Sequence, residues 1–242
     1  MTTDGIGTVL LAGATGGTGK RALDALLAVG YEVRCVTRSE SAVERLHRRG
    51  ADGVVVGDLL DPATAVRAVE GCDAVLSCVG TSPTRLARHR MPWTDPGPLV
   101  DGEGNRNLVA AAAAGDPWAF VMQSALGTGG DRGSWMAHLF RLTVGPTLRA
   151  KATAEEALRA SGLRHTVLRP GALTDLFGVG PLLGAPAGTG LWGIVPRRDV
   201  ARVMVGTLVE PEAANETIEV VRNPFQGSGG SIQVADWGPT VP

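Results

Sequence analysis

Hydrophobic and polar positions along this chain switch repeatedly between two periods. Residues 9–12 form a short unbroken apolar run, the pattern of a strand buried on both faces. After it, Leu23, Leu26 and Leu27 recur on one helical face, with Lys20, Arg21 and Asp24 off that face. The same exchange then repeats down the chain. Residues 33–37, 54–56, 73–78, 119–124 and 166–169 read as further strands, and 217–221 as a late one. Residues 41–49, 61–70, 104–114, 147–161 and 198–209 read as helices. Their ends carry start and stop signals: Ser41 as a cap, Pro62 in a first turn, Gly30, Gly50 and Gly162 as terminators. Alternation this strict predicts an α/β fold, a doubly wound parallel sheet with helices on both faces and right-handed crossovers. The expected strand order is 3-2-1-4-5-6.

Three stretches interrupt the rhythm. Residues 81–103 hold prolines, basic residues, His89, Met91 and Trp93. They read as a long loop over the carboxyl ends of the strands, where open α/β sheets bind ligands. Residues 127–146 begin glycine-rich and mobile, then carry apolar residues at helical spacing from 135 to 144, where Gly145 and Pro146 break the helix. Residues 172–197 are rich in Gly, Leu and Pro, and include Phe177 and Trp192. These stretches are the expected substrate-side elaboration of a single domain spanning residues 1–225. Residues 226–242, with Trp237, are expected to form a weakly ordered tail.

Gly13, Gly16 and Gly19 fall between the first strand and the first helix. The helix start offers unpaired N–H groups and a partial positive charge to an anion. Gly13 permits a tight turn, Gly16 lets the backbone approach a pyrophosphate, and Gly19 lets helix and strand pack closely. The frame is G-x-x-G-x-x-G rather than the usual G-x-G-x-x-G, so its position between strand and helix carries the argument. Gly13, Thr15, Gly16, Gly17, Thr18 and Gly19 are the candidate phosphate-binding residues. Dinucleotide sites that prefer NAD place an acid near the end of strand two to hold the ribose 2′-OH. Here Arg38 stands there, between Thr37 and Ser39. A guanidinium pairs bidentately with a 2′-phosphate, so the expected cofactor is NADP(H). A solvated loop arginine, with Glu40 bending back toward a 2′-OH, is the alternative.

Composition narrows the function class. With 242 residues and 44% of them hydrophobic, one sizeable core can form. The formal net charge of −1 provides no basic field for nucleic acid. No run approaches the ~20 apolar residues of a membrane span. Cys35, Cys72 and Cys78 lie in or beside apolar runs without metal-ligand spacing, as reduced residues of an intracellular, cytoplasmic protein would. The N-terminus runs directly into the first strand, without an evident signal peptide. A monomer and a homodimer both remain open.

Several motifs, taken in order, carry a resemblance. They are Gly13-Ala14-Thr15-Gly16-Gly17-Thr18-Gly19, Thr37-Arg38, Gly57-Asp58-Leu59, Ser77-Cys78-Val79-Gly80, Asn105 with Asn107 and Leu108, Ser124, Lys151 with Glu155, and the run from Thr166 to Pro170 and Gly171. In this order the chain resembles the atypical short-chain dehydrogenase/reductase family, with its biliverdin-reductase-like and NmrA-like members and their Rossmann-type fold. The resemblance implies that Asp58 and Leu59 border an adenine and that Cys78, Val79 and Gly80 pass the cofactor ribose. It also implies that backbone after Pro170 and Gly171 meets the nicotinamide. On residue chemistry alone, Asp58 can equally be a turn residue, and Pro170 with Gly171 a strand stop.

The wider superfamily moves protons with a Ser, a Tyr and a Lys four residues after the Tyr. Ser124 matches the serine, and Lys151 the lysine that bonds the nicotinamide ribose. The tyrosine position holds Thr147, and the one tyrosine, Tyr31, begins strand two. A threonine hydroxyl is a far weaker acid than a phenol near pKa ~10. The expected function is an NADPH-dependent oxidoreductase of carbonyls or quinones, because Ser124 and Lys151 both remain where the chemistry needs them, and two alternatives stay open. A reductase could use Ser124 to polarise a carbonyl, with water or a substrate hydroxyl supplying the proton. A non-catalytic NADP(H)-binding sensor is one alternative, and an isomerase or epimerase with tightly held cofactor the other. His47, His89, His138 and His165 are alternative acids or plain packing residues. Met91, Trp93, Trp135, Met136, Phe140, Phe177 and Trp192 could line a pocket for an aromatic or polyketide-like substrate.

Overall fold

Side chains of β1 (Thr8–Ala12) alternate between the two faces of a central sheet, and each face meets its own helices. Val9 and Leu11 pack with Leu23 and Leu26 of α1 (Gly17–Ala28), Leu46 of α2 (Val43–Arg48), and Val200 and Met204 of α6 (Arg197–Thr207). Leu10 and Ala12 face the opposite way. They pack with Ala65 and Ala68 of α3 (Pro62–Val69), Leu108 of α4 (Asn105–Gly115) and Leu158 of α5 (Trp135–Ala160). A strand covered on both faces explains why this run shows no polar position. Each such fully buried leucine contributes about 1.5–3 kcal/mol of hydrophobic stabilisation. This computed structural model describes residues 7–82, 86–88, 97–130, 134–226 and 233–234.

The further parallel strands are β2 (Glu32–Thr37), β3 (Gly53–Val56), β4 (Ala74–Ser77), β5 (Ala119–Gln123), β6 (His165–Pro170) and β10 (Glu216–Arg222). The order β3-β2-β1-β4-β5-β6 is the one expected, and β10 extends it, parallel to β6. The fold is therefore a Rossmann-like α/β domain. The strand order reverses between β1 and β4, so their carboxyl ends open the crevice in which such sheets bind ligands.

The structure corrects four local expectations. Residues 172–197 are not simply a loop: they contain β7 (Ala172–Thr174), β8 (Leu182–Pro186) and β9 (Ile194–Pro196). β8 pairs antiparallel with β10, so the sheet is parallel through β10 and mixed at that edge. The tail also contributes, because β11 (Gln233–Val234) pairs with β8. Gly145 and Pro146 do not separate two helices. α5 continues through them with a kink at Val144 (φ −127°, ψ 25°). Pro146 lacks an N–H and crowds the carbonyl four residues back, which bends the helix while packing on both sides holds it together. Finally, Ser41 lies inside a 3-10 turn, Glu40–Ala42, and its hydroxyl meets Ser39 rather than capping α2. His89, Met91, Trp93 and Trp237 lie outside the described residues, as does the end of the 127–133 stretch. Among the described residues, no helix is long and apolar enough to cross a membrane.

Candidate functional site

The chain leaves β1 through Gly13, whose φ of 85° lies where glycine is at ease. The Gly16 N–H donates to the Gly13 carbonyl at 2.9 Å and closes the turn. A Cβ on Gly13 would stand 2.7 Å from the Cys78 carbonyl oxygen, so only glycine lets this turn lie against the end of β4. A methyl group on Gly19 would run into the Gly13 carbonyl, which seats α1 directly on its own turn. No side chain caps α1 and its first turn holds no acid. Its leading N–H groups and partial charge are left for an anion.

A cleft extends from this turn across the ends of β2, β3 and β4. Its walls include Gly13, Thr15, Gly16, Arg38, Asp58, Leu59, Cys78, Val79 and Gly80, with Val36, Thr37, Gly57 and Val100. Arg38 is exposed at the lip, and Glu40 is not part of the wall. The glycine cradle and the uncapped helix together fit the pyrophosphate of a dinucleotide, with this guanidinium at the lip beside it. Asp58 Oδ1 accepts from the Leu60 N–H at 3.0 Å, which fixes the carboxylate in its turn. Asn107 donates to the Leu59 carbonyl at 2.8 Å and ties that edge to α4. Beneath it, the buried Ser77 hydroxyl donates to Asn105 Oδ1 at 2.6 Å. Burial pushes the Cys78 thiol up to about 12, so it stays protonated and unreactive at neutral pH.

Other expected residues add no wall to this cleft, although Gly17 and Thr18 open α1 and supply its leading N–H groups. Thr18 is buried within α1, and Gly17 lies under Arg197, whose Cδ would be 2.7 Å from an added Cβ. Pro170 and Gly171 do not line the cleft. The Pro170 carbonyl accepts from Leu126 at 2.9 Å, and the Gly171 N–H donates to Val220 at 3.0 Å. A side chain on Gly171 would strike the Gly193 carbonyl, so close packing explains this glycine.

Lys151 reaches the cleft wall from behind. Its Nζ lies 3.4 Å from the Val79 carbonyl, 3.2 Å from the Gln123 carbonyl and 3.0 Å from Asp101 Oδ1. Asp101 is fully buried, on a π-helical turn (Val100–Gly104) that leads into α4, and its Oδ2 accepts from the Thr81 N–H at 2.7 Å. Three residues around this pair carry polar atoms that are buried and unpartnered among the described residues: Thr81 Oγ1, Gln123 Oε1 and Thr147 Oγ1. Thr147 stands one turn before Lys151 on the same helical face. Buried polar atoms without partners are rare and point to a missing ligand group.

Ser124 belongs to a different cluster. It is 2% exposed, and its hydroxyl donates to Glu155 Oε1 at 2.5 Å. Glu155 also holds the buried Arg169 through two bonds of 3.1 and 2.6 Å, and Arg159 at 2.5 Å. Lys151 thus bonds the carbonyl of a cleft-wall residue, Val79, whereas the Ser124 proton is committed to a buried carboxylate. Sequence reading missed Asp101. The available signal was an acid inside a glycine-flanked turn, four residues before Asn105.

The expected aromatic set is split. Trp135 and Trp192 pack with ring centroids 5.9 Å apart, and Trp192 joins Met136 and Phe140 in a small cluster. Phe177 is 80% exposed and lies against Arg198 instead. His47, His138 and His165 each place Nδ1 against a nearby carbonyl, at 2.9, 3.0 and 2.9 Å, and none lines the cleft.

Comparison with known proteins agrees with this geometry. A family profile described as NAD(P)H-binding matches residues 13–211. An uncharacterised chloroplast protein, At2g34460 of Arabidopsis thaliana, is 32% identical, with 88% of this chain and 76% of that protein covered. Sanguinarine reductase of Eschscholzia californica is 29% identical, with coverage of 90% and 89%. A solved structure from Bacillus halodurans, titled a putative NAD-dependent epimerase/dehydratase, superposes with a TM-score of 0.72 at 26% identity, covering 89% of this chain and 94% of that one.

Proposed function

The chain belongs to the NAD(P)H-binding family, in the atypical short-chain dehydrogenase/reductase group, and from that premise we propose that it is an NADPH-dependent reductase of small aromatic or polyketide-like carbonyls or quinones. The observation that carries this reading is one of continuity. The phosphate turn, Arg38 and Val79 share one cleft, and Val79 is bonded directly to the Lys151–Asp101 pair with its unpartnered neighbours.

The chemistry the cofactor supplies is hydride donation. The chain's own residues bind and position. The start of α1 receives a pyrophosphate, and Arg38 pairs with the 2′-phosphate. Asp101 holds the Lys151 ammonium in place and balances its charge, so Lys151 orients ligand hydroxyls rather than activating a strong acid. Thr147 offers its hydroxyl to a ligand group other than the reacting oxygen. Water or a substrate hydroxyl brings the proton, because Ser124 is engaged with Glu155. The name of the relative, sanguinarine reductase, supports a reductase.

A second reading, an NADP(H)-binding sensor without turnover, is favoured by Thr147 in the tyrosine position and by the engaged Ser124. An assay of quinones, flavins and aromatic ketones with NADPH, followed by absorbance, separates the two. Oxidation with at least one acceptor supports the reductase. Tight, redox-selective binding without oxidation supports the sensor. Conversion of a substrate with the cofactor recovered unchanged would support the epimerase chemistry suggested by the Bacillus halodurans title.

A further inference from the structure

A second cavity, of about 490 Å³, opens between α1 and α6 and shares no wall residue with the cofactor cleft. Four arginines line it, Arg21, Arg198, Arg202 and Arg222, against only two carboxylates, Asp24 and Asp199. Both acids are already engaged. Asp24 takes a two-pronged bond from Arg49 at 2.7 and 2.6 Å. Asp199 Oδ2 accepts from Arg222 at 2.6 Å, and Arg222 also donates to the Gly180 carbonyl at 2.6 Å.

Arg202 is different. Its Nε is buried and has no hydrogen-bond partner among the described residues. Arg198 is nearly as free: its Nε stands 3.7 Å from Asp199 Oδ1, and its guanidinium stacks on Phe177, 4.6 Å from the ring centroid. Stacking fixes the plane of that group without neutralising its charge. Two guanidinium groups therefore face one cavity, Arg202 with an unpartnered Nε and Arg198 with only a long ion pair to Asp199, and Ala25 and Ala28 also line it. Guanidinium forks pair with planar or tetrahedral clusters of anionic oxygens. The volume exceeds that of a bare inorganic ion, and the two alanines suit a carbon body.

We propose that this cavity binds a small organic polyanion, a phosphate monoester or a polycarboxylate, through Arg202 and Arg198. Neither the family's cofactor nor the reductase reading requires such a site.

The test uses the full chain saturated with NADPH, which keeps the phosphate turn occupied. Glucose 6-phosphate and citrate are titrated separately by calorimetry at constant ionic strength, and the two arms distinguish the sources of charge. The expected result is saturable binding of at least one of them with one site per chain. Arg202→Ala should weaken it at least tenfold, Arg202→Lys less, and Arg198→Ala should also weaken it. Unchanged NADPH affinity in each variant shows that the fold is intact. Arg38→Ala should leave anion binding as it was in protein still saturated with NADPH. No saturable binding of either anion, or binding that Arg202→Ala leaves intact, would overturn the proposal. So would anion binding that appears only without NADPH, since the anion would then occupy the cofactor turn.

Discussion

Thr147 carries a hydroxyl that is buried and unpaired one helical turn from Lys151. In the absence of a ligand that group costs about 1–3 kcal/mol of desolvation. Thr147→Val should therefore stabilise the ligand-free protein in urea unfolding, while raising KM for the substrate and leaving kcat almost unchanged. A large fall in kcat would instead make Thr147 a proton donor. Ser124 has the opposite signature. Its hydroxyl serves a buried carboxylate, so Ser124→Ala should cost stability, about 1.5–3 kcal/mol for a hydrogen bond to a charged group, and little turnover. A large loss of kcat at unchanged stability would return Ser124 to the reacting oxygen. Arg38→Ala should weaken NADPH binding by about 1.5–3 kcal/mol and leave NADH binding nearly untouched. Calorimetric titration of both cofactors checks this, and equal affinities in the native protein would contradict a 2′-phosphate site. Arg38 was legible because its place after the second strand is fixed by local order alone. The partners of Ser124 and Lys151 were not. Glu155 and Asp101 lie 31 and 50 residues away from them in sequence, and only packing brings them together.

Elements are joined here by contacts that tolerate little change. α1 sits on its turn because Gly19 has no side chain, and Gly19→Ala must push the helix off the Gly13 carbonyl. The expected outcome is a loss of NADPH affinity greater than the loss of stability, measured by titration beside thermal unfolding, because the displaced N–H groups are the ones proposed to receive the phosphates. α5 is pinned to β6 by Glu155 and Arg169, whose side chains are 1% and 3% exposed. Removing Arg169 leaves the buried Glu155, among the described residues, with only the half-exposed Arg159 and Ser124 as partners, so Arg169→Met should destabilise by about 1.5–3 kcal/mol in urea unfolding. Glycine and cap signals made the start of α1 and of α3 readable, and Asp61 does accept from the Ala63 N–H at 3.1 Å. The continuity of α5 was hidden, because Gly145 and Pro146 are local breakers whereas packing along the whole helix decides whether a break becomes a kink.

At the scale of the molecule, the parallel sheet was legible from unbroken apolar runs, since a strand covered on both faces leaves no polar position. The antiparallel edge was not. β8 contains Gly184 and ends in Pro186, and β11 is two residues long, so neither shows a strand period. That edge continues the sheet beyond β10, while the reversal of strand order between β1 and β4 places the cleft between the phosphate turn, Arg38 and Val79, with Lys151 bonded behind Val79. The measurement that bears most directly on this account uses NADPH deuterated at the reactive nicotinamide carbon, with the panel of quinones and aromatic ketones as acceptors, and mass spectrometry of the products. The account predicts that deuterium passes from the cofactor to the carbinol carbon of at least one aromatic ketone, or that a quinone is reduced with a primary deuterium isotope effect on cofactor oxidation, and in either case faster from NADPH than from equally labelled NADH. Saturating, selective NADPH binding with no label in any ketone product and no cofactor oxidation with any quinone would contradict it.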